Sequence, residues 1–221
     1  MKIAFLSPTG KFTNGAEISI FELMKVLRKK GHTIYNLTSI RNAEYKDKMK
    51  AENIHFYTLK SGYFLWWKEA SRAVGRVVDT KVDSYFKRNQ IKEIAHFLLE
   101  NDIELMITNT VNMPSAAIAA KMVGIPHYTL IHEYPELEFS YYREKFDFVD
   151  EMNDKVFCIT ETLRKQLLAM YPAFTKEKFA TIYPYVEMDF TQKLADEEIT
   201  RIVVVGAVGE RKNQKELFQA V

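Results

Sequence analysis

Four short stretches of this chain join residue types suited to binding or proton transfer. Ile131-His132-Glu133 closes an apolar run. A histidine at the end of a buried strand could take or give a proton, or donate to an oxygen carrying charge. The plainer role for a lone histidine is a hydrogen bond to a nearby backbone group. No H-E-x-x-H and no cysteine pair occurs, so zinc is not expected. Asn14-Gly15-Ala16-Glu17 lies where a strand gives way to a helix. Unpaired amides and the helix dipole would favour an anion there, and Gly15 would let a phosphate or sugar approach the backbone. Asn14 and Glu17 also have capping-box spacing, and Gly15 could serve only the turn. No G-x-G-x-x-G occurs, which argues against a nicotinamide-type site. Glu210-Arg211-Lys212-Asn213 places two cations before a helix start. They suit a diphosphate, or form an ordinary solvated charge run. Asn109-Thr110-Val111-Asn112 offers amides and hydroxyls to a polyhydroxy ligand, or supplies turn and capping chemistry.

These stretches need a scaffold, and strands alternate with helices along the chain. Lys2 to Leu6 reads as a buried strand, closed by Ser7-Pro8-Thr9-Gly10. A helix is predicted from about Ala16 to Lys30, with Ile20, Leu23, Met24 and Leu27 on one face. Further strands are predicted at Thr33–Thr38, Ile54–Leu59, Glu104–Thr108, His127–Ile131, Lys155–Ile159 and Phe179–Ile182. Helices are predicted at about Pro114–Val123 and Glu161–Met170. Repeated units of this length imply a doubly wound parallel sheet covered on both faces. Ligands of such sheets collect at the carboxyl ends of the strands, which is where the first, second and fourth stretches fall.

Glu187 to Thr200 is polar and reads as a linker. Arg201 to Gly206 reads as a fresh buried strand, followed by a loop and the start of a helix in KELFQAV. The expected organisation is one domain over residues 1–190, then a linker and the opening of a second over 191–221.

Composition sets outer limits. The chain has 221 residues, 47% hydrophobic and 27% charged, with a net charge of +2, all ordinary for a globular protein. Nucleic-acid binding is not expected, because the basic stretch is short and matches no known motif. The single cysteine, Cys158, excludes an intrachain disulfide and fits a cytoplasmic setting. No stretch approaches the roughly 20 apolar residues of a membrane-spanning helix. Residues 60–92 carry eight basic and three acidic side chains, and residues 133–154 carry eight acidic and two basic. Trp66 and Trp67, beside a basic helical face, suggest a peripheral contact with the inner face of a membrane or a lipid-phosphate acceptor; a core-packed amphipathic helix gives the same pattern.

In this order the segments resemble the retaining, GT-B-fold glycosyltransferases called family 4, over nearly the whole chain. NGAEISIFELMKVLRKKGHTIYNLT resembles that family's G-G-A-E loop, helix and second strand, with Asn14 for the first glycine. ITNTVNMPSAAIAAKMVGIPHYTLIHE resembles its middle strand, alanine-rich helix and H-E segment. VFCITETLRKQL resembles its V-S-E helix, with Thr160 for serine. IYPYVEMDF stands where I-P-N-G-V-D is usual, departing at Tyr185 and Glu187. IVVVGAVGERKNQKELFQAV resembles the opening of the nucleotide-binding domain, with Ala207 where arginine is common.

The resemblance implies a Rossmann-like GT-B N-terminal domain, truncated before the second Rossmann-like domain is complete. It implies hexosyl or N-acetylhexosaminyl transfer, with retention, from a nucleotide-diphosphate sugar to a glycan or lipid-linked acceptor, with no metal and no cofactor. Polysaccharide biosynthesis is the expected setting. His132 would sit by the transferred sugar. Asn14, Gly15, Ala16, Arg211 and Lys212 would meet the donor, and Asn109, Thr110, Glu133 and Tyr134 the acceptor. The family's paired glutamates belong to the second domain, so residues 1–221 alone are expected to be inactive. Two other readings share the fold or the binding surface: a non-catalytic sugar or lipid-acceptor binding module, and a GT-B nucleotide-sugar epimerase. The order of the N-G-A-E and R-K-N-Q stretches favours transfer.

Overall fold

The computed structural model describes residues 1–12, 15–61, 65–66, 80–185, 203 and 214–220, without the side chains of 80–86, 138 and 220. Two compact units are distinguished, Met1–Glu187 and Met188–Val221. In the second, the described element is a helix, Gln214–Ala220.

The first unit is a parallel sheet of seven strands, β1 Lys2–Ser7, β2 Thr33–Thr38, β3 His55–Thr58, β4 Leu105–Asn109, β5 His127–Ile131, β6 Lys155–Cys158 and β7 Phe179–Thr181, in the order β3-β2-β1-β4-β5-β6-β7. The helices are α1 Gly15–Lys29, α2 Ala43–Ala51, α3 Thr80–Glu100, α4 Ser115–Val123, α5 Phe146–Glu151 and α6 Glu161–Met170, joined by 3-10 turns at Leu137–Lys145 and Lys176–Lys178. Every predicted strand and helix of this unit is present within a residue or two of its expected ends. The sequence reading missed α2, α3 and α5.

Side-chain alternation explains the layering. Ile3, Phe5, Leu105 and Ile107 point to the face covered by α1 and α2, where Ile20, Met24, Tyr45 and Met49 meet them. Ala4, Leu6 and Met106 point to the other face, against Ile94 and Leu98 of α3 and Ala116, Ala119 and Ala120 of α4. Ile131, Val156 and Cys158 continue that second face under α5 and α6. Each buried Leu, Ile or Phe contributes about 1.5–3 kcal/mol by area.

Trp66 belongs to this second core. It is 5% exposed and packs edge-on against Phe148, with ring centroids 5.1 Å apart. The membrane-facing expectation is therefore corrected for Trp66, whose indole is buried by the protein itself; Trp67 and the basic face from Lys68 to Arg76 lie outside the described residues. Among the described residues no helix is long and apolar enough to cross a membrane. Asn14, Arg211 and Lys212 also lie outside the described residues, as do the linker and nearly all of the expected strand Arg201–Gly206.

Cys158 is fully buried, and burial pushes its thiol up to about 12. The folded chain is expected to resist a soluble maleimide at pH 7 and to react once unfolded. Equal labelling of both states would contradict the packing.

Candidate functional site

The chain runs outward from β1 through α1 to β2, but from β4 it turns the opposite way to β5. The carboxyl ends of β1 and β4 thus flank the point where strand order reverses, the usual ligand crevice of such sheets. The loop after β1, the start of α1, and the ends of β4 and β5 converge there.

The loop after β1 is tied down by a buried carboxylate. Glu17 accepts hydrogen bonds from the amide of Thr9 (2.7 Å), its hydroxyl (2.8 Å), the amide of Gly10 (3.1 Å) and the hydroxyl of Tyr45 (3.1 Å). Tyr45 also receives the amide of Asn36 at 3.0 Å, and Asn36 receives the hydroxyl of Ser7 at 2.9 Å. These bonds of Glu17 reach back to the loop before α1; Asn14, its partner in the capping-box spacing, lies outside the described residues.

Two glycines in this region differ. Gly10 has φ +56°, and a Cβ there would stand 2.9 Å from Oγ1 of Thr38, so backbone and packing both require glycine. Gly15 has neither constraint. Its φ is not positive, it is exposed, and a Cβ would meet nothing within 4 Å. As the first residue of α1 it costs helix stability relative to alanine. Among the described residues nothing gives a steric reason for a glycine at this position.

At the other side of the crevice, β4 and β5 end in dipeptides that bind each other. The side-chain amide of Asn109 donates to the carbonyl of Ala16 in α1 at 3.2 Å, and its carbonyl meets Nε2 of His132 at 2.8 Å. Thr110 donates its hydroxyl to the carboxylate of Glu133. The other Glu133 oxygen accepts from the amide of His132 at 3.1 Å. Thr110 has φ +135°, which is rare for a β-branched residue and costs on the order of 1–3 kcal/mol. Glu133 holds this strained turn in place. Burial pushes the Glu133 carboxyl above the usual range, while the Thr110 and His132 hydrogen bonds pull the other way.

Of the residues expected to meet an acceptor, Asn109 and Thr110 are buried and their polar groups engaged within the protein. In this structure they hold the wall of the crevice. Glu133 and Tyr134 are half-buried, and the hydroxyl of Tyr134 pairs with that of Thr160 at 3.1 Å. Thr160 also caps α6 by accepting from the amide of Leu163. Ala16 takes part through its backbone carbonyl.

Two histidines compete for a functional role, and their partners separate them. His127 is 2% exposed, with Nε2 2.7 Å from the hydroxyl of Thr108 and Nδ1 2.7 Å from the carbonyl of Asn153. Both nitrogens are committed, and burial lowers its pKa to about 4. His132 is also lowered to about 4 by burial, but only Nε2 has a partner among the described residues. His132 is half-buried, and its Nδ1 has no hydrogen-bond partner among the described residues.

His127 gives a pH test. Its folded pKa lies below the ordinary value, so the unfolded chain binds the proton first as pH falls. The stability it contributes is complete above about pH 6.5 and is lost toward pH 4, on the order of 3 kcal/mol in all. Urea unfolding at pH 7 and pH 4.5 is expected to show a smaller acid loss in His127→Gln than in the parent chain. Equal losses would contradict the assignment.

Two hollows lie elsewhere. One, of about 530 Å³, opens at the amino ends of β2 and β3 between Arg28, His32 and Lys50, at the end of the sheet away from the crevice. The other, of about 450 Å³, is mainly apolar and borders α1 at Leu23 and Val26 and the chain at Ile182–Tyr185. Among the described residues no group of three acidic, histidine or cysteine side chains could hold a metal ion.

No family model and no curated protein matches this sequence. Solved structures do match its fold. A glycosyltransferase from Rickettsia africae aligns with a TM-score of 0.58 at 17% identity, covering 82% of this chain and 42% of its own. HepE from Anabaena, solved with UDP and glucose, aligns with a TM-score of 0.59 at 16% identity, covering 85% and 45%. The chain has the Rossmann-like α/β fold of a GT-B half. The same GT-B half is shared by the UDP-GlcNAc 2-epimerase of Neisseria meningitidis bound to UDP-GlcNAc, with a TM-score of 0.53, 16% identity, and 82% and 45% covered. The chain thus spans less than half the length of each of these structures. At such identities the likeness is one of fold, and function has to be argued from the site.

Proposed function

We propose that this chain is the acceptor-side half of a glycosyltransferase that moves a sugar from a nucleotide-diphosphate donor to a glycan or lipid-linked acceptor. The observation that carries this reading is Gly15, a glycine that neither its own backbone angle nor its neighbours require, at the start of α1 on the crevice that also holds His132. An exposed helix start with no side chain admits a phosphate or sugar against its amides. His132 lies on the same hydrogen-bonded wall, with one ring nitrogen unpaired among the described residues. The neighbours include proteins solved with UDP and glucose or with UDP-GlcNAc, which agrees with a nucleotide-sugar donor.

In this proposal Gly15 and Ala16 face the donor, joined by Asn14, while Arg211 and Lys212 belong to the diphosphate side. The acceptor meets Glu133 and Tyr134. Retention, the hexosyl or N-acetylhexosaminyl class, polysaccharide biosynthesis and independence from metal and cofactors are the finer parts of the reading, and they rest on the motif resemblance. A cytoplasmic setting is proposed with them.

The second reading is a nucleotide-sugar epimerase, favoured by the match to the Neisseria enzyme at nearly the same TM-score. A donor screen on the full-length protein separates the two. Transfer releases nucleotide diphosphate only when an acceptor is present and gives a glycosylated product, whereas epimerisation gives an isomeric nucleotide sugar with no acceptor. This reading expects no appreciable turnover from residues 1–221, which span less than half the length of the matched structures; normal turnover from them would refute this.

A further inference from the structure

The crevice contains a constraint that the proposed function does not itself require. A side-chain amide has one donor end and one acceptor end. The Ala16 carbonyl, 3.2 Å from Nδ2 of Asn109, can only accept, so the amide must present its NH₂ to Ala16. Reversing the amide would set two carbonyl oxygens against each other. With Nδ2 placed, Oδ1 of Asn109 faces Nε2 of His132 at 2.8 Å, and Oδ1 can only accept. Nε2 therefore carries the proton. The ring is neutral near pH 7, because burial disfavours the imidazolium, so Nδ1 is left with a lone pair.

The surroundings reinforce this orientation. Asn109 is fully buried, so water does not compete for its amide. Glu133 holds the backbone amide of His132 at 3.1 Å and receives the hydroxyl of Thr110, the residue after Asn109. The ends of β4 and β5 are thus fastened at two adjacent residues each. His127, at the amino end of β5, is the converse case. The Asn153 amide donates to the Val149 carbonyl at 2.7 Å, so its Oδ1 requires a proton on Nδ1 of His127. There the remaining nitrogen is already filled by Thr108. At His132 it is not.

We infer that Asn109 is a positioning residue that locks His132 in its Nε2–H tautomer and so leaves Nδ1 as a lone-pair acceptor for a ligand hydroxyl. This deepens the glycosyl-transfer reading and rests on it for the identity of the ligand. The wall then selects a hydroxyl donor, such as a sugar hydroxyl, and disfavours a carboxylate or other oxyanion, which would set lone pair against lone pair. His132 acts in this scheme by accepting a hydrogen bond. It does not deliver a proton, because its one proton is spent on Asn109.

Long-range ¹H–¹⁵N spectra of the imidazoles, recorded near pH 7 on the ligand-free chain, test this directly. His132 is assigned by loss of its signals in His132→Gln. The expected result is a protonated, pyrrole-type Nε2 and an unprotonated, pyridine-type Nδ1. Asn109→Ala is expected to lower the ratio of the two tautomers about tenfold, the equivalent of one hydrogen bond, while the backbone amide spectrum away from the crevice is unchanged. A proton on Nδ1 in the parent chain would overturn the proposal, and so would an unchanged tautomer ratio in a folded Asn109→Ala. If that variant does not fold, the parent spectrum still decides the tautomer. No donor is added, so a chain that binds no nucleotide sugar would defeat the transferase reading and leave this measurement intact.

Discussion

Gly15→Ala in the full-length protein is expected to keep or slightly raise stability while transfer falls at least tenfold. The two effects have separate causes. Stability is expected to rise by up to about 1 kcal/mol, because alanine loses less backbone freedom on entering a helix. No steric penalty offsets this, since a Cβ at Gly15 has nothing within 4 Å. Donor use is expected to fall because the same Cβ would occupy the space of a phosphate or sugar lying against the helix start. Thermal unfolding and a steady-state transfer assay on the same preparation check both. A glycine kept only for its turn would give the reverse, lower stability and normal rates. Gly10→Ala is the useful contrast, since strain at φ +56° and the close approach to Thr38 predict a loss of stability first.

His132→Ala is expected to lower turnover by ten- to a hundredfold with the fold retained. A buried hydrogen bond left without its partner costs about 1–3 kcal/mol, and that range sets the scale. The loss should fall more on kcat than on KM if the hydroxyl contact strengthens in the transition state. Truncation also frees Oδ1 of Asn109, so unfolding of the variant has to be measured beside its kinetics. The rate of the parent enzyme is expected to show no titration near pH 6.5 from this residue, because burial holds His132 neutral down to about 4. Unchanged turnover in a folded variant would remove His132 from the site.

The contrast between Gly15 and Gly10 also shows what could be read from sequence. The sheet was legible because its strands are short apolar runs ended by turns, and because Ile20, Met24 and their neighbours repeat at helical spacing on α1. Helix α3 was missed although Ile91, Ile94, Ala95 and Leu98 carry that spacing, since the polar residues before them obscured it. Helix α2 buries only Tyr45 and Met49, too few to show a face. At the site, strand-end positions placed Asn109, Thr110, His132 and Glu133 at the carboxyl end of the sheet. Their roles were not legible, because which side chain faces the crevice and which faces its neighbour depends on pairing between β4 and β5 that no local pattern records. The same holds for Trp66, whose aromatic and basic surroundings fit a membrane contact until Phe148 is seen to cover it.

The central claim is that the start of α1 and the ends of β4 and β5 form one wall of a nucleotide-sugar site. A crystal structure of the full-length protein with a nucleotide sugar that it accepts as donor tests this most directly. The account predicts a donor oxygen within hydrogen-bonding distance of the Gly15 amide, and a sugar hydroxyl within the same distance of Nδ1 of His132. A donor bound with its sugar away from both, or with an oxyanion against Nδ1, would contradict it.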